Sequence, residues 1–127
     1  MQSQEPENHH VVVLGASPKP ERYSNQCIRL LLELDYRVTP VNPAIPVIEG
    51  LNVTHELSTI EEPVHTLTMY VGEARSNKMI DDILRLRPQR VIFNPGSESS
   101  VLMSKLRQQG AECIEGCTLV MLRTEQF

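Results

Sequence analysis

The chain has 127 residues, of which 40% are hydrophobic, and a formal net charge of −4. This length fits one domain, and the hydrophobic content is enough for a buried core. A net acidic chain lacks the basic surface of a general nucleic-acid binder, and no apolar run approaches the roughly 18 residues of a membrane span. We therefore expect one domain that binds neither nucleic acid nor a membrane.

The beginning of the chain and its cysteines indicate the cellular compartment. Residues 1–8 are polar and lack a signal-peptide core, so we interpret them as a disordered leader before a domain over residues 9–127. Cys27, Cys113 and Cys117 form an odd set without a secretory signal. These features favour reduced thiols and a cytoplasmic protein.

The first elements are a strand, a loop, a helix and a second strand. The β-branched run His10–Leu14 predicts a buried strand, and a loop rich in proline and charge follows over residues 15–23. Ser24 is a candidate N-cap for a helix that ends near Asp35. Tyr36–Val41 predicts the second strand.

The middle of the chain is irregular before the pattern resumes. Residues 44–63 hold several breakers and one short extended piece near residues 51–53. His65–Val71 predicts the third strand. The apolar positions of Met79–Leu84 then predict an amphipathic helix that is ended by Pro88.

The last third predicts two more strands and two helices. Arg90–Phe93 is the fourth strand, and Val101–Leu106 carries the spacing of a helix with Gly110 as its C-terminal cap. Ala111–Ile114 is the fifth strand. Thr118–Leu122 predicts a final turn or two of helix.

Alternating strands and helices are typical of right-handed βαβ units. We predict a single Rossmann-like α/β domain with a five-stranded parallel sheet of order 3-2-1-4-5 and helices on both faces. Ligands of such sheets bind beyond the carboxyl ends of the strands, here at the switch between strands 1 and 4. The residues directly after each strand are therefore the candidate site.

The loop after the first strand has the features of a phosphate-binding loop. Small residues permit close backbone approach, the following helix offers free N–H groups, and two cations and two hydroxyls add side-chain donors. These candidates are Gly15, Ala16, Ser17, Lys19, Arg22 and Ser24. With one glycine and no Gly-Lys-Ser/Thr, the loop is neither a dinucleotide fingerprint nor a P-loop. An ordinary tight loop with solvated charges is the alternative.

The residues after the second strand bear on which nucleotide binds. The candidates there are Val41, Asn42 and Pro43, and no acidic residue stands between Thr39 and Pro46. Sites for NAD usually place a carboxylate here to hold the ribose hydroxyls. Without it a phosphorylated ribose becomes acceptable, which favours coenzyme A over NAD and leaves NADP open.

Small and polar residues also follow the third and fourth strands. The candidates are Val71, Gly72, Asn94, Pro95 and Gly96. The two glycines permit close backbone approach or a positive φ, and Ser97 is a candidate N-cap for the next helix. Two capped turns without a ligand are the alternative interpretation.

The sequence contains no catalytic or metal-binding constellation that we recognise. His9, His10 and His65 lie at the starts of strands, away from the predicted site, and His55 lies in the irregular stretch. Cys113 and Cys117 alone are too few for a structural zinc site. We expect a binding site without catalysis or metal.

Several motifs resemble one family. They are Gly15-Ala16-Ser17 with Lys19-Pro20 and Arg22-Tyr23-Ser24, then Tyr36 to Pro43, Gly50, and Cys117 after the last strand. Over about Val11 to Val120 the chain resembles the small bacterial coenzyme A-binding domain proteins, whose fold is shared with the nucleotide-binding domain of the succinyl-CoA synthetase α subunit. Members often have glycine where this chain has Asp35, and an aromatic residue with glutamine near Asn94.

The resemblance implies that coenzyme A lies across the strand ends, in contact with the candidate residues above, and that Cys117 could meet a ligand thiol. We predict a non-catalytic binding or regulatory module for coenzyme A or an acyl-CoA. An NADP- or NAD-binding regulator, one part of a split acyl-CoA ligase, and a flavodoxin-like scaffold without a small ligand remain alternatives. A protein partner or a homo-oligomer is also open.

Overall fold

A computed structural model describes residues 8–127. The expected leader falls, apart from Asn8, outside the described residues. The strands are β1 (His10–Leu14), β2 (Arg37–Val41), β3 (Val47–Ile48), β4 (Leu51–Asn52), β5 (Thr66–Met69), β6 (Arg90–Phe93) and β7 (Glu112–Glu115). The helices are α1 (Tyr23–Glu33), α2 (Glu73–Ser76), α3 (Ile80–Leu86), α4 (Ser100–Gln108) and α5 (Thr118–Arg123).

Five strands form one parallel sheet in the order β2-β1-β5-β6-β7. The predicted α/β class and five-stranded parallel sheet are confirmed. One strand lies elsewhere than the order 3-2-1-4-5 implied: the third long strand, β5, pairs with β1 and not beside β2. From β1 the chain adds β2 on one side and later adds β5 on the other side. The boundary between β1 and β5 is therefore the switch point.

Burial explains the position of β5. All four of its residues are buried, so it needs a neighbouring strand on each side, whereas β2 begins exposed at Arg37 and suits the edge of the long strands. On the outer side of β2, the described residues provide a single bridging residue, Thr54, in place of a further strand. Its N–H donates to the Pro40 carbonyl and its carbonyl accepts from the Asn42 N–H.

Alternation along β1 divides the core between the two faces of the sheet. Val12 and Leu14 pack towards α3 and α4, while Val11 and Val13 pack towards α1 and α5. Helices therefore cover both faces, as predicted. Within residues 8–127, no helix has the length and apolar character that spanning a membrane requires.

Several boundaries differ from the sequence prediction. Arg22, not Ser24, is the N-cap of α1, and Ser24 is buried inside the first turn. Ser99, not Ser97, caps α4, because its Oγ accepts a hydrogen bond from the Leu102 N–H. The Ser97 Oγ donates to the Asn94 carbonyl.

Two small elements were not predicted. The extended piece near residues 51–53 is half of an antiparallel hairpin of β3 and β4, whose turn residues Glu49 and Gly50 both have positive φ. The four-residue helix α2 follows β5 after Gly72. Both elements are too short for hydrophobic periodicity to reveal them.

Candidate ligand-binding site

A cavity of about 440 Å³ opens beyond the carboxyl ends of β1, β5 and β6. Most of the predicted ligand residues line it: Gly15, Ala16, Ser17, Lys19, Arg22, Ser24, Asn42, Val71, Gly72, Pro95 and Gly96. Four further lining residues were not among the predicted ligand residues: Tyr23, Tyr70, Arg75 and Ser97. The first cavity is therefore built from loops that come from four different strand ends.

A second cavity of about 170 Å³ adjoins the first, and Gly15 and Arg75 border both. Its wall is mainly apolar and includes the remaining predicted residues of the β2 turn, Val41 and Pro43, with Leu14, Leu57 and Met79. Its polar lining residues are His55, Glu56, Arg75 and Asp82. His55, which the sequence located only in the irregular stretch, therefore lies at this end of the sheet, beside the predicted site.

Asn94 lies beneath the first cavity and does not line it. Its side chain is 2% exposed and connects three elements. The Nδ2 group donates to the Thr68 Oγ1 at 2.7 Å and to the Met69 carbonyl at 2.8 Å, and the Oδ1 atom accepts from the Thr118 N–H at 2.9 Å. The structure thus gives Asn94 the role of joining β5, β6 and α5 under the site.

Gly15 is required by the protein's own packing. Its φ is +92°, and a Cβ atom there would lie 2.8 Å from the Tyr70 carbonyl oxygen. The N–H groups of Gly15 and Ala16 both donate to the Val41 carbonyl, at 3.2 and 3.1 Å. The loop therefore leaves β1 pressed between the ends of β2 and β5.

Asn42 fixes the loop from the side of β2. Its Nδ2 group donates to the Ala16 carbonyl at 2.9 Å, and its Oδ1 atom accepts from the N–H groups of Ala44 and Ile45. The same side chain thus shapes two adjacent turns while it lines the cavity. Asn42, from the predicted Val41-Asn42-Pro43 motif, therefore influences the site partly by holding the loop after β1.

The start of α1 presents unsatisfied donors to the cavity. Within the described part of the chain, no side chain caps this helix, so the N–H groups of its first turn are left for solvent or a ligand. Tyr23 and Ser24, which contribute two of these groups, both line the cavity. The positive end of the helix dipole points to the same place, which favours an anion.

Three cations surround this helix end. Lys19, Arg22 and Arg75 line the cavity, are exposed, and form no ion pair within residues 8–127. Among the described residues that line the first cavity there is no carboxylate. Glu98 adjoins the lining at one point, where its Oε1 accepts from the Gly96 N–H at 3.0 Å.

The floor of the cavity is uncharged. Burial raises the pKa of Tyr70, and burial also raises the pKa of the neighbouring Cys27 thiol, to about 12. Both groups therefore stay protonated at neutral pH, and Cys27 is not a thiolate nucleophile. Cys117 packs in the same apolar cluster and lines neither cavity, so the structure does not place its thiol where a ligand would lie.

The residues that the sequence prediction missed carried weak signals. Tyr23 stands inside the Arg22-Tyr23-Ser24 motif but is not among the predicted ligand residues. Arg75 lies four residues after Val71, on α2, which itself was not predicted. A cation in the first turns after a strand end at the switch point is the pattern that would have found it.

The parallel sheet, the switch-point cavity and its cationic lining define a Rossmann-like α/β domain whose cavity is suited to an anionic ligand. The chain belongs to the CoA binding domain family, which matches residues 9–123. A comparison with curated protein sequences finds no match.

Solved structures support the same fold. The chain is 34% identical to a protein described as uncharacterized, with a TM-score of 0.89 over 94% of this chain and 98% of that one. It is 27% identical to the cell-free ID.343 protein of Thermus thermophilus, with a TM-score of 0.85 over 94% and 90%. A dinucleotide-forming acetyl-coenzyme A synthetase of Ca. Korarchaeum cryptofilum shares the fold alone, at 20% identity and a TM-score of 0.73 over 84% of this chain and 26% of the synthetase.

Proposed function

We propose that this protein binds coenzyme A or an acyl-CoA as a non-catalytic binding or regulatory module in the cytoplasm. One observation carries the proposal: within residues 8–127, three cations that form no ion pair and a helix start without a side-chain cap surround a single cavity that no carboxylate lines. Coenzyme A carries a diphosphate and a 3′-phosphate, and such a concentration of positive charge would neutralise them. Membership of the CoA binding domain family supports this choice of ligand.

The second cavity supports a ligand with an aromatic base. Its apolar wall of Leu14, Val41, Leu57 and Met79 would accept a flat ring. Because Gly15 and Arg75 border both cavities, one extended molecule could fill both, with its base in the smaller cavity and its phosphates in the larger one. Coenzyme A has this division between an apolar base and charged phosphates.

Among the described residues that line the larger cavity, no histidine or carboxylate is available for reaction with a thioester. Tyr70 and Cys27 are held in their neutral forms by burial. The buried His9 and His10 lie at the opposite end of the sheet, in hydrogen bonds to Thr66 and Thr39. We therefore propose binding without catalysis. If the protein contributes to acyl transfer, we expect the chemistry to come from a partner chain.

Isothermal titration calorimetry tests the proposal. We expect coenzyme A to bind more tightly than dephospho-coenzyme A or NAD. Arg22→Ala and Arg75→Ala should each weaken coenzyme A binding by about one to two orders of magnitude, the value of a lost charge-assisted hydrogen bond. Lys105→Ala removes an exposed cation on α4, outside both cavities, and should leave the affinity unchanged.

A second candidate, an NAD-binding regulator, is favoured by one specific observation. Although no acid follows β2 directly, the fold brings Glu56 and Asp82 to the smaller cavity, where they could hold ribose hydroxyls. Asp82 is already paired with Arg85 at 3.0 Å, which leaves Glu56 as the free carboxylate. Tighter binding of NAD than of coenzyme A, abolished by Glu56→Gln, would establish this alternative.

A further inference from the structure

A buried amide side chain lies directly behind the phosphate loop. Asn25, in the first turn of α1, has no exposed surface and lines neither cavity. Its Nδ2 group donates to the Ser17 carbonyl at 3.0 Å and to the Glu49 Oε2 at 3.1 Å, while its Oδ1 atom accepts from the Arg29 Nε at 2.8 Å. Both ends of the amide are therefore engaged.

The partners determine the orientation of this amide. In the reverse orientation, the Asn25 oxygen would face the Ser17 carbonyl and the Glu49 carboxylate, and its NH₂ group would face the Arg29 guanidinium. Arg29 also donates from its Nη2 to the Pro20 carbonyl at 2.8 Å. Two carbonyl groups of the loop are thus held by donors that lie outside the cavity.

Glu49 comes from a separate element. It lies in the turn between β3 and β4 with φ of 50°, a conformation that the hairpin maintains through the pairing of Val47 with Asn52 and of Ile48 with Leu51. Asn25 therefore joins the loop after β1, helix α1 and the hairpin at one point. Arg29 and Glu49 bring opposite charges to the two ends of its amide, which strengthens both sets of hydrogen bonds.

Carbonyl oxygens are partly negative, so a loop that turned them into the cavity would repel phosphate. We infer that Asn25, held by Arg29 and Glu49, is the positioning residue of this loop: it retains the Ser17 and Pro20 carbonyls behind the loop, so that the cavity presents donors and cations to an anion. The inference rests on the proposed binding of a phosphate-bearing ligand at this cavity.

Asn25→Asp tests the role of the amide, because it keeps the shape and replaces the donor with an oxygen. We expect coenzyme A affinity to fall at least about tenfold, because the introduced carboxylate would face the Ser17 carbonyl and Glu49. Glu49→Gln alone should have little effect, because glutamine still accepts from Asn25. Added to Asn25→Asp, Glu49→Gln should restore part of the affinity, since the glutamine amide can donate to the introduced carboxylate.

Asn52→Asp is the matched control, because it adds the same charge on an exposed residue of β4. It should leave the affinity unchanged. Affinity losses of equal size in Asn25→Asp and Asn52→Asp would overturn the inference. So would a double variant, Asn25→Asp with Glu49→Gln, that recovers no affinity.

Hydrogen exchange of the ligand-free protein separates this inference from the proposed function. The Lys19 N–H bonds to the Ser17 Oγ and the Arg22 N–H to the Lys19 carbonyl, so both amides report on the loop. In Asn25→Asp we expect these two amides to exchange at least about tenfold faster while those of β5 keep their rates. Equal acceleration throughout would show a merely structural residue and overturn the inference. Wild-type protein that binds no coenzyme A would instead overturn the proposed function, and the exchange rates would still decide the role of Asn25.

Discussion

Two single positions show how backbone conformation constrains residue choice around α1. Asp35, between α1 and β2, has φ of 67° and is exposed. Aspartate tolerates this left-handed conformation better than most residues, so the position does not require glycine. Gly15 combines a positive φ with contact to the Tyr70 backbone, so it cannot be exchanged in the same way.

Gly15→Ala should be strongly destabilising, because the new Cβ adds a backbone clash to the unfavourable φ. Gly110→Ala is the matched control: its φ is +93°, almost the same, but a Cβ atom there would have nothing within 4 Å. We expect Gly110→Ala to lower the free energy of unfolding by about 1–2 kcal/mol, and Gly15→Ala to lower it by at least about 2 kcal/mol more. Urea denaturation measures both. Equal losses would show that contact with Tyr70 does not constrain this position.

At the scale of the element, the start of α1 is built differently from the start of α4. Ser99 caps α4 with its side chain, whereas Arg22 occupies the same position of α1 and makes no capping hydrogen bond. The missing cap leaves donors free at the cavity, so helix stability and the proposed anion binding place opposite demands on this residue.

Arg22→Ser should therefore separate stability from binding. A serine at this N-cap can accept from the first turn of α1, so we expect the free energy of unfolding to rise by about 0.5–1 kcal/mol. Coenzyme A affinity should fall by about tenfold or more, because a cation is lost and a helix donor is occupied. Denaturation and calorimetry on the same variant give both values. A variant that gains stability and keeps its affinity would remove Arg22 from the binding site.

At the scale of the whole molecule, the two ends of the sheet have different chemistry. The carboxyl end holds the two cavities, the larger of which is lined by three cations, and the amino end holds a packed cluster of rings with a buried arginine. In this cluster His9 stacks on Phe127 with ring centroids 5.1 Å apart, and the Arg90 Cζ lies 4.5 Å from the Phe127 centroid. The Thr66 hydroxyl contacts His9, His65 and Arg90 at 3.0, 2.8 and 3.1 Å.

This cluster makes stability depend on pH. Burial, followed by the neighbouring His65 and Arg90, lowers the pKa of His9 to about 3, and burial also lowers the pKa of His65. The Thr66 oxygen has two lone pairs and already accepts from Arg90, so it cannot accept from two further protonated ring nitrogens. In the unfolded chain His9 binds a proton near pH 6.5, whereas in the folded protein it stays neutral down to about pH 3. The contribution of His9 to stability is therefore fully present above about pH 6.5 and is lost as the pH falls from about 6.5 towards 3.

Melting temperatures measured from pH 8 to pH 4 test this prediction. Wild-type protein should lose stability steadily below about pH 6.5. His9→Gln should flatten the curve because it removes the group with the larger shift, and His65→Gln should flatten it less. Tyr36 and Glu112 also face this cluster, and neither substitution alters them. Curves that run parallel for all three proteins would show that His9 does not couple folding to pH.

Hydrophobic patterning was sufficient to predict the long strands and the helices on both faces, because each of these segments buries enough apolar surface to reveal its period. The order of strands was harder to predict, since sequence spacing does not say whether β5 joins β1 or β2. In the structure β5 is buried on both faces and lies between β1 and β6.

Gly15, Lys19 and Arg22 could be placed at the site from the sequence, because turns at the carboxyl ends of parallel strands meet at one edge whatever their separation in the chain. Only the tertiary structure brought Arg75, His55 and Glu56 to the cavities and set Asn25 behind the loop, because these positions depend on short irregular elements whose packing no local pattern encodes. The sequence by itself thus determined the class of fold and the location of the loop after β1 at the candidate site. The fold decided which distant charges surround that loop, because electrostatic contact depends on distance in space and not on distance along the chain.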